Sequence, residues 1–91
     1  MEAIKIARSD EDSADYVFLA EIGEYKYKVT FSESYYEQLT AGKISPKELL
    51  RRSFEFLIER EPPASIMRQF ELPVINRYFP EYEDEIRQGV L

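Results

Sequence analysis

The side chains that most enzymes and metal sites use are scarce in this 91-residue sequence. It has no histidine and no cysteine, so the usual neutral-pH base, the commonest metal ligand and the thiolate nucleophile are all missing. Its three glycines form no glycine-rich phosphate loop. Serine, lysine, tyrosine and carboxylate chemistry stays formally open. We expect a protein that is not an enzyme and that has no catalytic, cofactor-binding or metal-binding residues.

Two acidic clusters are the remaining candidates for cation binding or proton transfer. The segment SDEDSAD holds Asp10, Glu11, Asp12 and Asp15, but it lacks the ligand register and the glycine of an EF-hand loop. The segment EYEDE holds Glu81, Glu83, Asp84 and Glu85, in the first turns of a predicted helix where carboxylates are ordinarily solvated. We interpret the first cluster as an acidic loop and the second as an exposed helix face.

Basic residues cluster once, in KISPKELLRR, whose members are Lys43, Lys47, Arg51 and Arg52. Lys47 and Arg51 share a helix face, and the open N–H groups of a helix beginning near Ser45 favour anions. With Arg77, these residues are the candidate anion or nucleic-acid patch. The alternative is a solvated face on which the cations compensate Glu48 and Glu55 through pairs three and four residues apart.

Residues 64–79, ASIMRQFELPVINRYF, have the layout of a degenerate helix-turn-helix. Ser65–Phe70 would be the supporting helix, and Val74–Phe79 would read bases through Asn76 and Arg77. The proline that follows makes the second helix short, and the acidic run after it would repel phosphates. The alternative, which we favour, is that the apolar residues close the core: Ile66, Met67, Phe70, Leu72, Ile75, Tyr78 and Phe79.

The elements that must position these residues begin with a hairpin in YVFLAEIGEYKYKVTF, residues 16–31. A two-residue loop at Gly23 and Glu24 produces one wholly apolar face. Its pairs are Ile22 with Tyr25, Ala20 with Tyr27, Phe18 with Val29, and Tyr16 with Phe31. The opposite face is mixed, and weaker alternation at residues 3–7 leaves a third strand open.

Helical signals follow. A short helix is predicted from Ser32 or Ser34 to Gly42. The central helix is strongly marked by an N-cap at Ser45 and a proline after it, and should run from Pro46 to about Arg60. Three further short helices are predicted at about residues 63–70, 73–79 and 80–88. The fold class is α+β: an antiparallel hairpin or three-stranded sheet followed by a bundle of four to five short helices, as one domain over residues 1–91.

Function is constrained by charge and by the hairpin. The net charge of -6 is spread over the chain, which makes nucleic acid an unfavourable partner without excluding it. The mixed hairpin face and the tyrosines suggest an interface at Val17, Leu19, Tyr25 and Tyr27. We predict a non-enzymatic protein-interaction or regulatory module, for which a homodimer is one option. The alternative is a nucleic-acid-binding regulator that uses residues 64–79.

The sequence has no long apolar run, and its N-terminus is acidic. We therefore expect no membrane partner and a cytoplasmic location.

One resemblance covers most of the chain. The run SPKELLRRSFEFLIEREPPASIMRQFELPVINRYFPEYEDEI, preceded by the aromatic hairpin and YYEQLT, resembles a set of small uncharacterised bacterial proteins of similar length. The resemblance carries no activity, and so it implies no site residues.

Overall fold

The computed structural model describes residues 4–9 and 15–90. The strands are β1 (Ile4–Arg8), β2 (Tyr16–Ile22), β3 (Tyr25–Phe31) and β4 (Gln69–Glu71). The helices are α1 (Glu33–Thr40), α2 (Pro46–Arg60), α3 (Val74–Tyr78) and α4 (Tyr82–Val90), with a 3₁₀ turn at Pro63–Ser65. The strands form one mixed sheet in the order β1-β2-β3-β4, and the α+β class is confirmed.

The hairpin has the predicted register. Ile22 lies opposite Tyr25 and Tyr16 opposite Phe31, and Gly23 supplies the positive φ of 59° that the two-residue loop needs. The third strand is also confirmed, because β1 pairs antiparallel with β2. Ala3, the first residue of that prediction, lies outside the described residues. The signals that predict these three strands, side-chain alternation and the turn at Gly23, are local in the chain.

The central helix has the predicted bounds. The Ser45 hydroxyl accepts a hydrogen bond from the backbone N–H of Glu48 at 3.0 Å, and Pro46 occupies the first helical turn, where its missing N–H costs little. At α1 the cap is Ser32, which accepts from the N–H of Tyr35 at 3.1 Å. That helix ends where Ala41 turns to a φ of 51°.

The helix predicted at residues 63–70 is wrong. Only Pro63–Ser65 is helical, as a single 3₁₀ turn, and Gln69–Glu71 forms β4, parallel to β3. The physical reason is a long-range interaction. The backbone groups on the edge of β3 that faces away from β2 need hydrogen-bond partners, and the N–H of Lys28 donates to the carbonyl of Arg68 at 2.7 Å. Since residues 64–70 do not form a helix, residues 64–79 do not form a helix-turn-helix.

The core lies between the inner face of the sheet and the helices. Phe54 of α2 is 0% exposed, and its ring lies 5.2 Å from that of Tyr27 and 6.2 Å from that of Phe70. On another side of α2, the Ser53 and Tyr82 hydroxyls share a hydrogen bond of 2.6 Å. Helix α2 therefore contacts strands β3 and β4 as well as helix α4.

We expect Phe54→Ala to lower the free energy of unfolding by about 3 to 5 kcal/mol, because it leaves a cavity between α2 and strands β3 and β4. Urea denaturation would measure the loss. Glu59→Ala, on an exposed position of the same helix, is the control and should change stability by less than about 0.5 kcal/mol. A loss below about 1 kcal/mol for Phe54→Ala would contradict this packing.

Candidate functional site: an apolar groove beside β4

Two exposed hydrophobic side chains mark the surface of most interest. Among the described residues, the large hydrophobics left exposed are Leu19 at 48%, Met67 at 43% and Tyr78 at 67%. Met67 and Tyr78 border the same groove of about 260 Å³. Its lining residues are Leu57, Glu61, Ser65, Ile66, Met67, Phe70, Val74, Ile75, Tyr78 and Phe79. All but Glu61 and Ser65 are hydrophobic, which is typical of a binding surface.

Tertiary contacts hold one wall of the groove, the segment from the 3₁₀ turn to β4. The Tyr27 hydroxyl donates to the carbonyl of Pro63 at 2.5 Å. The Arg68 guanidinium lies over the Tyr25 ring, 4.6 Å from its centroid. The backbone carbonyl of Arg68 accepts a hydrogen bond from the N–H of Lys28 in β3. With both ends of residues 63–68 tied to β3, Ile66 is buried and Met67 is left at the surface.

Helix α3 also lines the groove, through Val74, Ile75 and Tyr78. The carbonyls of Leu72 and Pro73 accept hydrogen bonds from the next turn, at 3.1 Å each. Ile75 is buried against the core, whereas Tyr78, one turn further, is exposed. A five-residue helix bounded by prolines is too short to bury its apolar residues on one stripe.

This site was not predicted from the sequence. Seven apolar residues of the segment 66–79 were expected in the core, and four of them are buried: Ile66, Phe70, Leu72 and Ile75. Phe79 is partly buried, and Met67 and Tyr78 are exposed. The available signal was the short spacing of the prolines around α3, which limits how much of its surface can face inward.

The interface predicted on the hairpin is distributed over both faces of the sheet. Val17 and Tyr27 are buried within the chain. Tyr25 is half-buried beneath Arg68, and Leu19 alone of the four is exposed. The outer face around Leu19 is mixed. It includes Ala7, opposite Leu19 on β1, the buried Val17, and an ion pair between Glu21 and Lys26 at 3.9 Å.

Two of the five residues of the predicted basic patch, Arg51 and Arg52, are occupied by ion pairs. Arg51 bonds Glu48 through Nε at 2.9 Å and through a second nitrogen, and it bonds Glu55 at 2.9 Å. Arg52 bonds Glu48 at 2.9 Å and the backbone carbonyl of Gly89 at 2.9 Å. These are the pairs that the alternative interpretation expected.

The basic side chains also do not converge on one depression. Lys47 and Arg51 line a shallow depression beside β1. Lys43 lines a different one with Arg87, and Arg52 lines a third beside α4. Arg77 is exposed on α3.

Asn76 and the acidic run of α4 have structural partners. The Asn76 side-chain oxygen accepts from the backbone N–H of Glu83 at 3.2 Å, in the first turn of α4. Glu83 accepts from the Tyr35 hydroxyl at 3.0 Å. Arg60 lies 3.7 Å from Glu81 and bonds Glu85 at 3.0 Å. The acidic segment at residues 10–14 lies outside the described residues, and the described ones hold no cluster of metal-ligating side chains.

Shifted pKa values in this structure arise from packing and ion pairs. The hydrogen bond from Arg51, together with Arg52, lowers the pKa of Glu48 from 4.5 to about 2 against the opposing effect of burial. Burial raises the pKa of Tyr35 and of Tyr82, so both phenols stay neutral. None of these groups lines the groove.

Comparisons with family models, with curated proteins and with solved structures found no match to this chain. Among the helices in residues 4–9 and 15–90, none has the length and apolarity needed to cross a membrane.

We expect the Glu48 ion pairs to make stability depend on pH. Because the pKa of Glu48 is about 2 in the folded chain and 4.5 ordinarily, its ionised form stabilises the fold above pH 4.5. That stabilisation is lost as the pH falls from 4.5 toward 2. Glu48→Gln, which keeps a capping side chain, should lose about 1 kcal/mol at pH 7.

The measurement is urea denaturation of Glu48→Gln and wild type from pH 7 to pH 2. The two curves should converge at the acid end. Glu24→Gln, in the exposed hairpin loop, removes the same charge and should follow wild type. A constant difference at all pH values would contradict the ion-pair origin.

For Asn76, we expect a structural effect that its exposed neighbour lacks. Asn76→Ala removes the acceptor at the start of α4 and should cost about 1 kcal/mol of unfolding free energy. Asn76→Asp keeps the acceptor and should restore most of it. Arg77→Ala is the matched control and should change stability by less than about 0.5 kcal/mol. Equal effects of Asn76→Ala and Arg77→Ala in thermal melts would contradict this role.

Proposed function

We propose that this chain is a non-enzymatic protein-interaction module whose contact surface is the apolar groove between β4 and α3. The observation that carries the proposal is the exposure of Met67 and Tyr78, which both line that groove. Tyrosine beside an apolar pocket is typical of the residues that dominate binding energy at protein interfaces.

The groove supports this role better than the other two surfaces do. Among the described residues of the sheet's outer face, Leu19 is the one large hydrophobic side chain that is exposed, which favours self-association through the sheet less. The nucleic-acid alternative needs free cations, but Arg51 and Arg52 are bonded to Glu48. Its reader residue Asn76 is occupied by the backbone of α4.

A pull-down from native lysate, with nucleic acid retained in one arm and digested in another, tests the proposal. Tyr78→Glu places a charge at the rim of the groove, and Leu19→Glu makes the same change at the exposed hydrophobic of the sheet. We expect a co-purifying protein whose recovery falls at least about tenfold with Tyr78→Glu, the loss typical of a dominant interface residue.

Recovery should be unchanged by Leu19→Glu and by nuclease. Loss of the partner on nuclease digestion would instead favour the nucleic-acid class. Equal loss with both variants, or recovery insensitive to Tyr78→Glu, would contradict the groove as the contact surface. Far-UV circular dichroism of both variants checks that they are folded.

A further inference from the structure

One edge of β4 has backbone groups that no described residue binds. The carbonyl of Arg68 accepts from Lys28, and the N–H of Leu72 donates to Thr30 at 2.9 Å. Because backbone groups alternate along a strand, those of Gln69 and Glu71 point away from β3. Strand β4 is the last in the sheet, and within residues 4–9 and 15–90 these outward groups have no strand partner. Such an edge is a template for one more strand.

The groove adjoins this edge through Phe70, the central residue of β4. The Phe70 side chain points to the inner face, where its ring meets Phe54, and it also lines the groove. A strand added beside β4 would place every second side chain on the same face as Phe70. Those side chains would be apolar, because the groove that they enter is lined by hydrophobic residues.

The remaining side chains of an added strand would lie on the outer face, opposite Gln69 and Glu71. Glu71 is exposed, and Glu61 in the groove wall is half-buried. Neither carboxylate makes an ion pair with a described residue. Three cations lie nearby, and each is engaged. Arg60 bonds Glu85 and Arg68 lies on Tyr25, while Lys28, opposite Gln69 on the outer face, has an interaction of its own. Glu61 and Glu71 are therefore the carboxylates beside the groove and edge that no described cation pairs with.

We propose that the partner contributes an extended segment with alternating apolar and basic side chains, which adds as a fifth strand to the free edge of β4. This inference rests on the proposed function, because it names the occupant of that groove. The backbone of Gln69 and Glu71 binds the segment, the groove takes its apolar side chains, and Glu71 attracts its basic ones. Since β4 has only three residues, the backbone bonds are few and the groove supplies much of the affinity.

The probe is a fluorescently labelled, end-blocked heptapeptide of alternating lysine and isoleucine, titrated with the full chain by anisotropy. A glutamate and isoleucine heptapeptide is the charge control. Two further probes carry N-methyl groups on all lysine amides or on all isoleucine amides. We expect the lysine peptide to bind at least about tenfold more tightly than the glutamate peptide.

N-methylation should discriminate between the two backbone edges of the probe. In an antiparallel pair the lysine amides would bond Gln69 and Glu71, and in a parallel pair the isoleucine amides would do so. One methylated probe should therefore lose at least about tenfold in affinity, and the other should bind within about threefold of the parent. Methylation that is equally harmless at both positions would overturn the proposal. Because this change is made in the probe, protein folding cannot affect it.

Two protein variants localise the binding. Glu71→Gln should weaken the lysine peptide about threefold to fivefold, as expected for one exposed ion pair. Glu24→Gln removes the same charge at the hairpin loop and should have no effect. Equal effects of the two variants, or tight binding of the glutamate peptide, would overturn the proposed charge recognition.

The outcomes separate this inference from the proposed function. If Tyr78→Glu abolishes recovery of a lysate partner while the methylated probes show no discrimination, the groove binds protein but not an added strand. If recovery ignores Tyr78→Glu, the proposed function itself fails. If light scattering shows a wild-type dimer that Tyr78→Glu dissociates, a second copy occupies the groove, and the basic partner segment is overturned.

Discussion

The packing of Phe54 between Tyr27 and Phe70 is the interaction on which the rest of the structure depends. Tyr27 belongs to a hairpin whose strands are adjacent in the chain, whereas Phe70 belongs to a strand that is separated from β3 by α1 and α2. A single buried side chain therefore links the local and long-range parts of the fold. Because α2 also bonds α4 through Ser53 and Tyr82, the same helix connects the sheet to the C-terminal helix.

Elements whose signals are local in the chain were predictable, and elements that depend on distant partners were not. Gly23 sets the hairpin loop and Ser45 sets the start of α2, so both were predicted from neighbouring residues. Strand β4 exists because Lys28 and Thr30 need backbone partners, a demand that no pattern in residues 63–71 displays. The groove was missed for the same reason, since the exposure of Met67 depends on how residues 63–68 attach to β3.

The candidate basic patch shows that nearness in sequence is also a limited guide to which cations are free. Nearness in sequence identified Arg51 and Arg52 as a cluster, but the same helical spacing places Glu48 within reach of both. Arg60 joins α2 to α4 through Glu81 and Glu85. Because these cations serve internal pairs, the net charge of -6 is felt most where carboxylates have no cation beside them. An acidic field of this kind favours encounters with basic segments and repels acidic ones.

The two edges of the sheet differ, and the difference follows from the path of the chain. Strand β1 has the start of α2 beside it, where Ser45 and Lys47 line a depression with residues of β1. Strand β4 has three residues, and Pro73, two residues after its end, cannot extend the backbone ladder. So short an edge binds little by backbone contacts alone, which protects it from indiscriminate pairing. Recognition there needs the groove as well, and a partner must therefore match backbone direction, apolar alternation and charge together.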